Sequence, residues 1–246
     1  MMKLLYLLIL SPVALQLRAQ ETFIFSGSIT YERKINVYRQ TDGIGDESWI
    51  KTILPTLPNF HSSNFVMKFN NDESIYEPVG DMTQLSIPTI IGPAKENVIV
   101  TNFKNHTQTG YKTVYEKKFQ VEDSLKYVAW RITDEKRTIA GMECRKAVTI
   151  ICDSVYVVAF YAEEIPVSGG PESFTGLPGM ILGLAVPRLH TTWFATSIVL
   201  KQPVATDFAV RTKAQKISID KLFNTVKSSM EDWGKSAERN IWWILL

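Results

Sequence analysis

The chain has 246 residues, 45% of them hydrophobic, with 27 Lys and Arg against 25 Asp and Glu, enough to bury a sizeable core in one large β domain or two small ones. Residues 1–19 read as a secretory signal, and their removal would take away Lys3 and Arg18 and leave 25 basic against 25 acidic groups. A neutral chain of this kind excludes nucleic acid as a partner, because such binding needs a clustered cationic excess, and it has no charge reason to sit on an anionic membrane.

Within that signal, Lys3 supplies the positive start, residues 4–15 are almost wholly apolar, and Leu17-Arg18-Ala19 ends in a small residue suited to cleavage. The apolar run is shorter than the ~20 residues a membrane span requires. The expectation is a mature chain starting at Gln20, a single domain over residues 20–246, with no transmembrane span after signal removal. No cysteine follows the cleavage point to carry a lipid anchor, so a periplasmic or exported location is expected.

Residues 23–34 alternate apolar Phe23, Phe25, Ile29 and Tyr31 with polar neighbours and predict a half-buried strand. Residues 39–48, with Gly43 and Gly45, predict loop, and residues 49–57 a short helix interrupted by Pro55. Residues 64–69 and 74–78 flank the polar turn Asn70-Asn71-Asp72-Glu73 and predict a hairpin. Residues 80–97 carry Gly80, Pro88, Gly92 and Pro93 and predict irregular chain.

Strands are then expected over residues 98–103, 110–119, 126–133, 141–151 and 155–162, with Asn105-His106 and Asp134-Glu135-Lys136 as turns. Two more follow at 181–186 and 192–200. The period then changes: Ile219, Leu222, Phe223, Val226, Met230 and Trp233 recur at helical spacing, with Ser218 placed to cap and Gly234 to terminate. The pattern predicts a mainly β, α+β fold: a curved antiparallel sheet or open barrel carrying a C-terminal amphipathic helix.

The densest punctuation lies between the last two groups of strands. Pro166, Pro171 and Pro178 fix φ, while Gly170, Gly176 and Gly179 accept positive φ, which predicts a rigid, sharply folded loop with a type II turn at Pro178-Gly179 before Met180 and Ile181 re-enter the core. The loop serves either to close the β architecture or to present a binding rim. The final residues 241–246, including Trp242 and Trp243, are too apolar to stay wet and either add a strand or plug to the domain or contact a membrane or another protein.

Chemistry-bearing residues are sparse. His61, His106 and His190 lie far apart without metal-ligand spacing, and no nucleophile elbow or phosphate cradle is present, so neither a metal nor a cofactor is expected. Glu163 and Glu164, if on a strand, would point to opposite faces and share no substrate, and the expected role is an exposed turn edge. Cys144 and Cys152 leave two arrangements: a disulfide across a bulge, or two buried thiols.

Ile165-Pro166, Gly170-Pro171 and Gly176-Leu177-Pro178-Gly179-Met180-Ile181 together resemble the defining segment of the GLPGLI family of secreted Bacteroidetes proteins. Trp130-Arg131-Ile132 and Cys144-Arg145-Lys146-Ala147 resemble that family's tryptophan and cysteine strands, Phe160-Tyr161 its Trp-Tyr pair, and Ser74-Ile75-Tyr76-Glu77 its Ser-x-Tyr-Glu element. The resemblance implies export and a β-rich fold but no activity or catalytic residue. Asp123-Ser124-Leu125 and Asp153-Ser154-Val155 are also similar to the Asp-Ser/Thr-apolar acceptors of Bacteroidetes O-glycosylation.

The functional expectation is an exported, non-enzymatic envelope protein that binds a lipid or other hydrophobic ligand, or an outer-membrane protein. Two alternatives stand beside it: an accessory subunit of a transport or secretion complex docking through the Gly/Pro loop or the tail, and a metal handler or enzyme built on Cys144.

Overall fold

A computed structural model of the chain describes residues 22–41, 48–80, 96–114, 117–210, 212–230 and 235–246. The expected signal, the Gly43 and Gly45 loop, most of the irregular segment and Gly234 lie outside the described residues.

Alternation builds the first strands. In β1 (Gly27–Asn36) the residues Ile29, Tyr31, Arg33 and Ile35 all face inward and are buried, and β2 (Phe60–Phe69) answers with Ser63, Phe65, Met67 and Phe69. The turn at residues 70–73 is tied by the Asn70 side chain, which accepts from the backbone N–H of Asp72 and Glu73 at 2.8 Å each, and β3 (Glu73–Val79) returns beside β2. Before β2, β1 runs into the one-turn helix α1 (Val37–Gln40), capped by Asn36, and then the short α2 (Ser48–Ile53).

The meander continues through β4 (Val98–Asn102), β5 (Thr107–Val114) and β6 (Lys117–Ser124). The strand expected over residues 110–119 is in fact the inner halves of β5 and β6, paired Tyr111 to Gln120 and Val114 to Lys117. Residues 125–130 form no strand, and β7 (Arg131–Ile139) takes up the Asp134-Glu135-Lys136 segment expected to be a turn. The polar triplet survives inside the strand because the register with β8 (Met142–Ile151) shifts between Ile132 and Lys136, a bulge that absorbs it. The turn is one step later, where Ala140 and Gly141 both adopt positive φ.

Strands β9 (Val155–Ala162), β10 (Met180–Val186) and β11 (Thr191–Val199) complete the second meander. The described strands form one open sheet in the order β12-β6-β5-β4-β3-β2-β1-β11-β10-β9-β8-β7, so β1 joins two meanders by pairing with β11. All pairs are antiparallel except β12 (Gln215–Ile217), which lies parallel to β6.

Two helices cover the inner face. Helix α3 (Ile219–Ser229) is capped by Ser218, whose hydroxyl accepts from the Lys221 N–H at 3.3 Å, and lays Leu222, Val226 and Met230 on Val114, Phe119 and Val121 of the β5–β6 hairpin. The tail is not a strand but helix α4 (Lys235–Leu245), whose end drives Trp243 and Leu246 into the main core. No helix among the described residues is long and apolar enough to cross a membrane.

Candidate functional site

The Gly/Pro loop, residues 163–179, packs into the main core on the inner face of the sheet. Ile165, Val167, Phe174 and Leu177 are buried in the same core as Tyr31, Phe65, Trp193 and Trp243. Its ladder is local: Met180 N–H donates to Ile165 O at 2.9 Å and Ile181 N–H to Gly169 O at 2.8 Å. Three outside groups pin it. Tyr31 Oη donates to Ile181 O at 2.7 Å, Trp130 Nε1 to Thr175 O at 2.9 Å, and Ser173 N–H to Leu246 O at 2.9 Å.

The expected type II turn at Pro178-Gly179 does not form, since Gly179 lies outside the positive-φ region. Glycine is needed there for approach instead: a Cβ at Gly179 would fall 2.2 Å from the carbonyl oxygen of Ala162. Positive φ occurs at Gly176 (+93°) and, against intrinsic preference, at Glu172 (+55°).

Strain at Glu172 marks the chemical centre of the molecule. Its side chain, 0% exposed, points between the two meanders and collects three partners. Asn97 Nδ2 donates to Oε2 at 2.9 Å, Trp193 Nε1 donates to Oε1 at 3.2 Å, and Arg33 Nη1 stands 3.8 Å from Oε1. Arg33 is itself fully buried, donating from Nε to Ser63 Oγ at 3.1 Å and lying over the rings of Phe65 and Trp243 at 4.6 and 5.7 Å.

Around this pair, four buried polar atoms have no hydrogen-bond partner among the described residues: Tyr76 Oη, Asn97 Oδ1, Lys112 Nζ and Trp243 Nε1. Burial displaces the titrations accordingly. It lowers the Arg33 pKa despite the nearby Glu172, raises Tyr31 and Tyr76 well above the ordinary tyrosine range, and brings Lys112 down to about 8.

Other residues singled out in the sequence lie apart from this centre. Cys144 is buried on β8 and its thiol is pushed up to about 12, chiefly by burial, so it is no nucleophile at neutral pH. Cys152 is exposed in the β8–β9 turn; both cysteines are free, so there is no disulfide, and of the two thiols expected to be buried only Cys144 is. Tyr161 donates to Glu163 Oε1 at 3.1 Å, and Arg145 pairs with the same carboxylate at 3.0 Å.

Glu163 and Glu164 sit in a turn after β9 rather than on a strand, and both line an open polar cleft of about 770 Å³ with Asp134, Lys136, Glu143 and Arg145. Trp242 is half-buried under the Arg188 guanidinium at 5.2 Å, whereas Trp243 is buried against Trp193 at 5.9 Å. Among the described residues, no three His, Cys, Asp or Glu side chains converge to hold a metal ion.

Sequence reasoning missed Arg33, Asn97, Lys112, Glu172 and Trp193. For Arg33 the signal was present, since it falls in phase with Ile29, Tyr31 and Ile35. For Glu172 no local pattern exists.

A family model described as a protein of unknown function (Porph_ging) matches residues 150–183, which run from the end of β8 through the Gly/Pro loop into β10. No curated protein matches the chain. Among solved structures, PNGF-II in the P21 space group is similar at 14% identity over 86% of this chain and 34% of that one, with a TM-score of 0.53. The same protein in the C2 space group gives 16% identity, 86% and 33% coverage, and 0.53. An uncharacterized conserved protein from Thermus thermophilus reaches 6% identity and a TM-score of 0.41 over 79% of this chain and 90% of its own. The chain thus spans about a third of the length of the PNGF-II structures, and the likeness is one of fold.

Proposed function

We propose that this chain is an exported, non-enzymatic protein of the cell envelope, of the GLPGLI type, that acts by holding another molecule rather than by transforming it. The observation that carries the reading is where the perturbed groups lie. Tyr31, Arg33 and Tyr76 have titrations displaced chiefly by burial, and each is at most 1% exposed. An enzyme tunes such groups in a cleft that admits substrate; here they brace a loop inside the sheet.

The interior also narrows the means of binding. The inner face of the sheet, where an acyl chain would lie, is filled by the Gly/Pro loop, Trp193 and Trp243, and an open apolar groove of about 360 Å³ lies between the β5–β6 hairpin and α3. Both elements first considered for docking a partner, the loop and the tail, are largely buried, so an accessory role would use the outer surface.

Native mass spectrometry of the protein purified gently from its own envelope, paired with a denatured intact mass, tests the reading. A bound mass lost on denaturation, or a co-purifying envelope protein, is the expected result. A bare chain that turns over a substrate would overturn it, and a denatured mass retaining residues 1–19 would overturn export by cleavage.

A further inference from the structure

Among the described residues, Lys112 is a cation without a counter-ion of its own. It faces inward on β5 between Gly110 and Val114, is 4% exposed, and its ammonium has no hydrogen-bond partner among those residues. The nearest buried carboxylate, Glu172, is already held by Asn97, Trp193 and Arg33. The lysine stem runs across Gly110, where a Cβ would come within 3.2 Å of Lys112 Cε, so glycine keeps that path open.

A pocket of about 70 Å³ lies over the same glycine, walled by Lys112, Lys126, Asp123, Ser124 and Ser173. This is roughly twice one water's share of the liquid, room for a small ion and little else. The exposed Lys126 is steadied at the rim by Asp123, 3.5 Å away.

We infer that this pocket is a site for a small oxyanion, a phosphate or carboxylate group, held between the Lys112 and Lys126 ammonium groups with the Ser124 and Ser173 hydroxyls as further donors. The two lysines repel each other across the pocket, and an anion between them turns one repulsion into two attractions in a partly dry setting. It also supplies the charge-assisted hydrogen bonds that a buried ammonium otherwise lacks. The site is independent of the envelope role proposed above.

The charged groups around Lys112 are Asp123 and Lys118 from β6, Lys126 just beyond it, Glu96 before β4, and Glu172 from the Gly/Pro loop. Gln108 of β5 is neutral, and Ile219 of α3 and Leu245 of α4 present apolar walls. Burial, opposed by Glu172 and reinforced by Lys126, leaves Lys112 titrating at about 8, so anion affinity falls as pH rises through that value.

The test is titration of the full chain with inorganic phosphate and, separately, propionate, followed by calorimetry and by lysine Cε and Gly110 amide resonances. Saturable binding of either anion that moves Lys112 and Gly110, weakens at least tenfold in K112Q and several-fold in the surface variant K126Q, and fades from pH 7 to pH 9 supports the site. Phosphate alone points to free phosphate or a phosphorylated compound, propionate alone to a carboxylic acid. Shifts spread over all surface lysines, or binding unchanged in K126Q or at pH 9, would overturn it.

Discussion

Glu172 faces Arg33 at 3.8 Å with both side chains within 1% of full burial, and its carboxylate also accepts from Asn97 and Trp193. Exchanging the carboxylate for an amide turns an N–H toward one of the two donors, Asn97 or Trp193, and takes the negative charge from beside Arg33; a buried donor left unsatisfied costs about 1–3 kcal/mol. E172Q is expected to lose that much, read as a fall in the urea midpoint at unchanged slope. The double variant R33M/E172Q should lose less than the sum of the two single variants, because the Arg33–Glu172 attraction is then lost only once and Met fills apolar space beside Phe65 and Trp243. A double variant as unstable as the sum of the singles would mean that packing, not charge pairing, sets the cost. Half of this pair was legible in the sequence: period two places Arg33 among Ile29, Tyr31 and Ile35, whereas Glu172 reaches Arg33 only through the folding of a loop 139 positions further on.

At the scale of elements, the glycines of the Gly/Pro loop separate two demands that sequence reading treated as one. Gly176 has φ +93° with only ordinary contact to Trp130 Nε1 at 3.6 Å, so a side chain there meets backbone strain but not a clash. Gly179 has no such φ, yet a Cβ would press on the Ala162 carbonyl at 2.2 Å, and backbone on both sides must move. G176A is therefore expected to lose about 1–2 kcal/mol, and G179A about 3 kcal/mol or more through overpacking. Thermal unfolding of the two variants checks the order, and a G176A as damaging as G179A would contradict the geometry. Glycine composition announced a tight loop correctly, but the reason for each glycine depends on β9, which packs across it. For the same reason, the turn expected at Asp134-Glu135-Lys136 proved to be strand: local polarity was read, and the bulge against β8 was not visible.

Over the whole molecule, the sheet is open, and an open sheet has two edges to protect. Local pattern announced strands and helix α3, but not that β1 would pair with β11 more than 150 residues away and so weld two meanders into one sheet; such pairing is fixed by the core as a whole. It is this weld that sends both edges outward. One edge ends in the three-residue parallel strand β12, too short to template another chain. The other is β7, nine residues long, where Arg131, Asp134, Glu135, Lys136 and Arg137 are largely exposed and a bulge breaks the register. Charge and irregularity together make pairing with a second β7 unfavourable, since a neighbouring copy would bring like charges together on an interrupted ladder. Replacing Asp134, Glu135 and Lys136 with Thr, Val and Thr removes the charges at the bulge while touching only exposed positions. The expected outcome is concentration-dependent self-association in sedimentation velocity, with little change in the unfolding midpoint at low concentration. A triple variant that stays monomeric at high concentration would place the protection elsewhere, in the twist of the edge rather than in its charges.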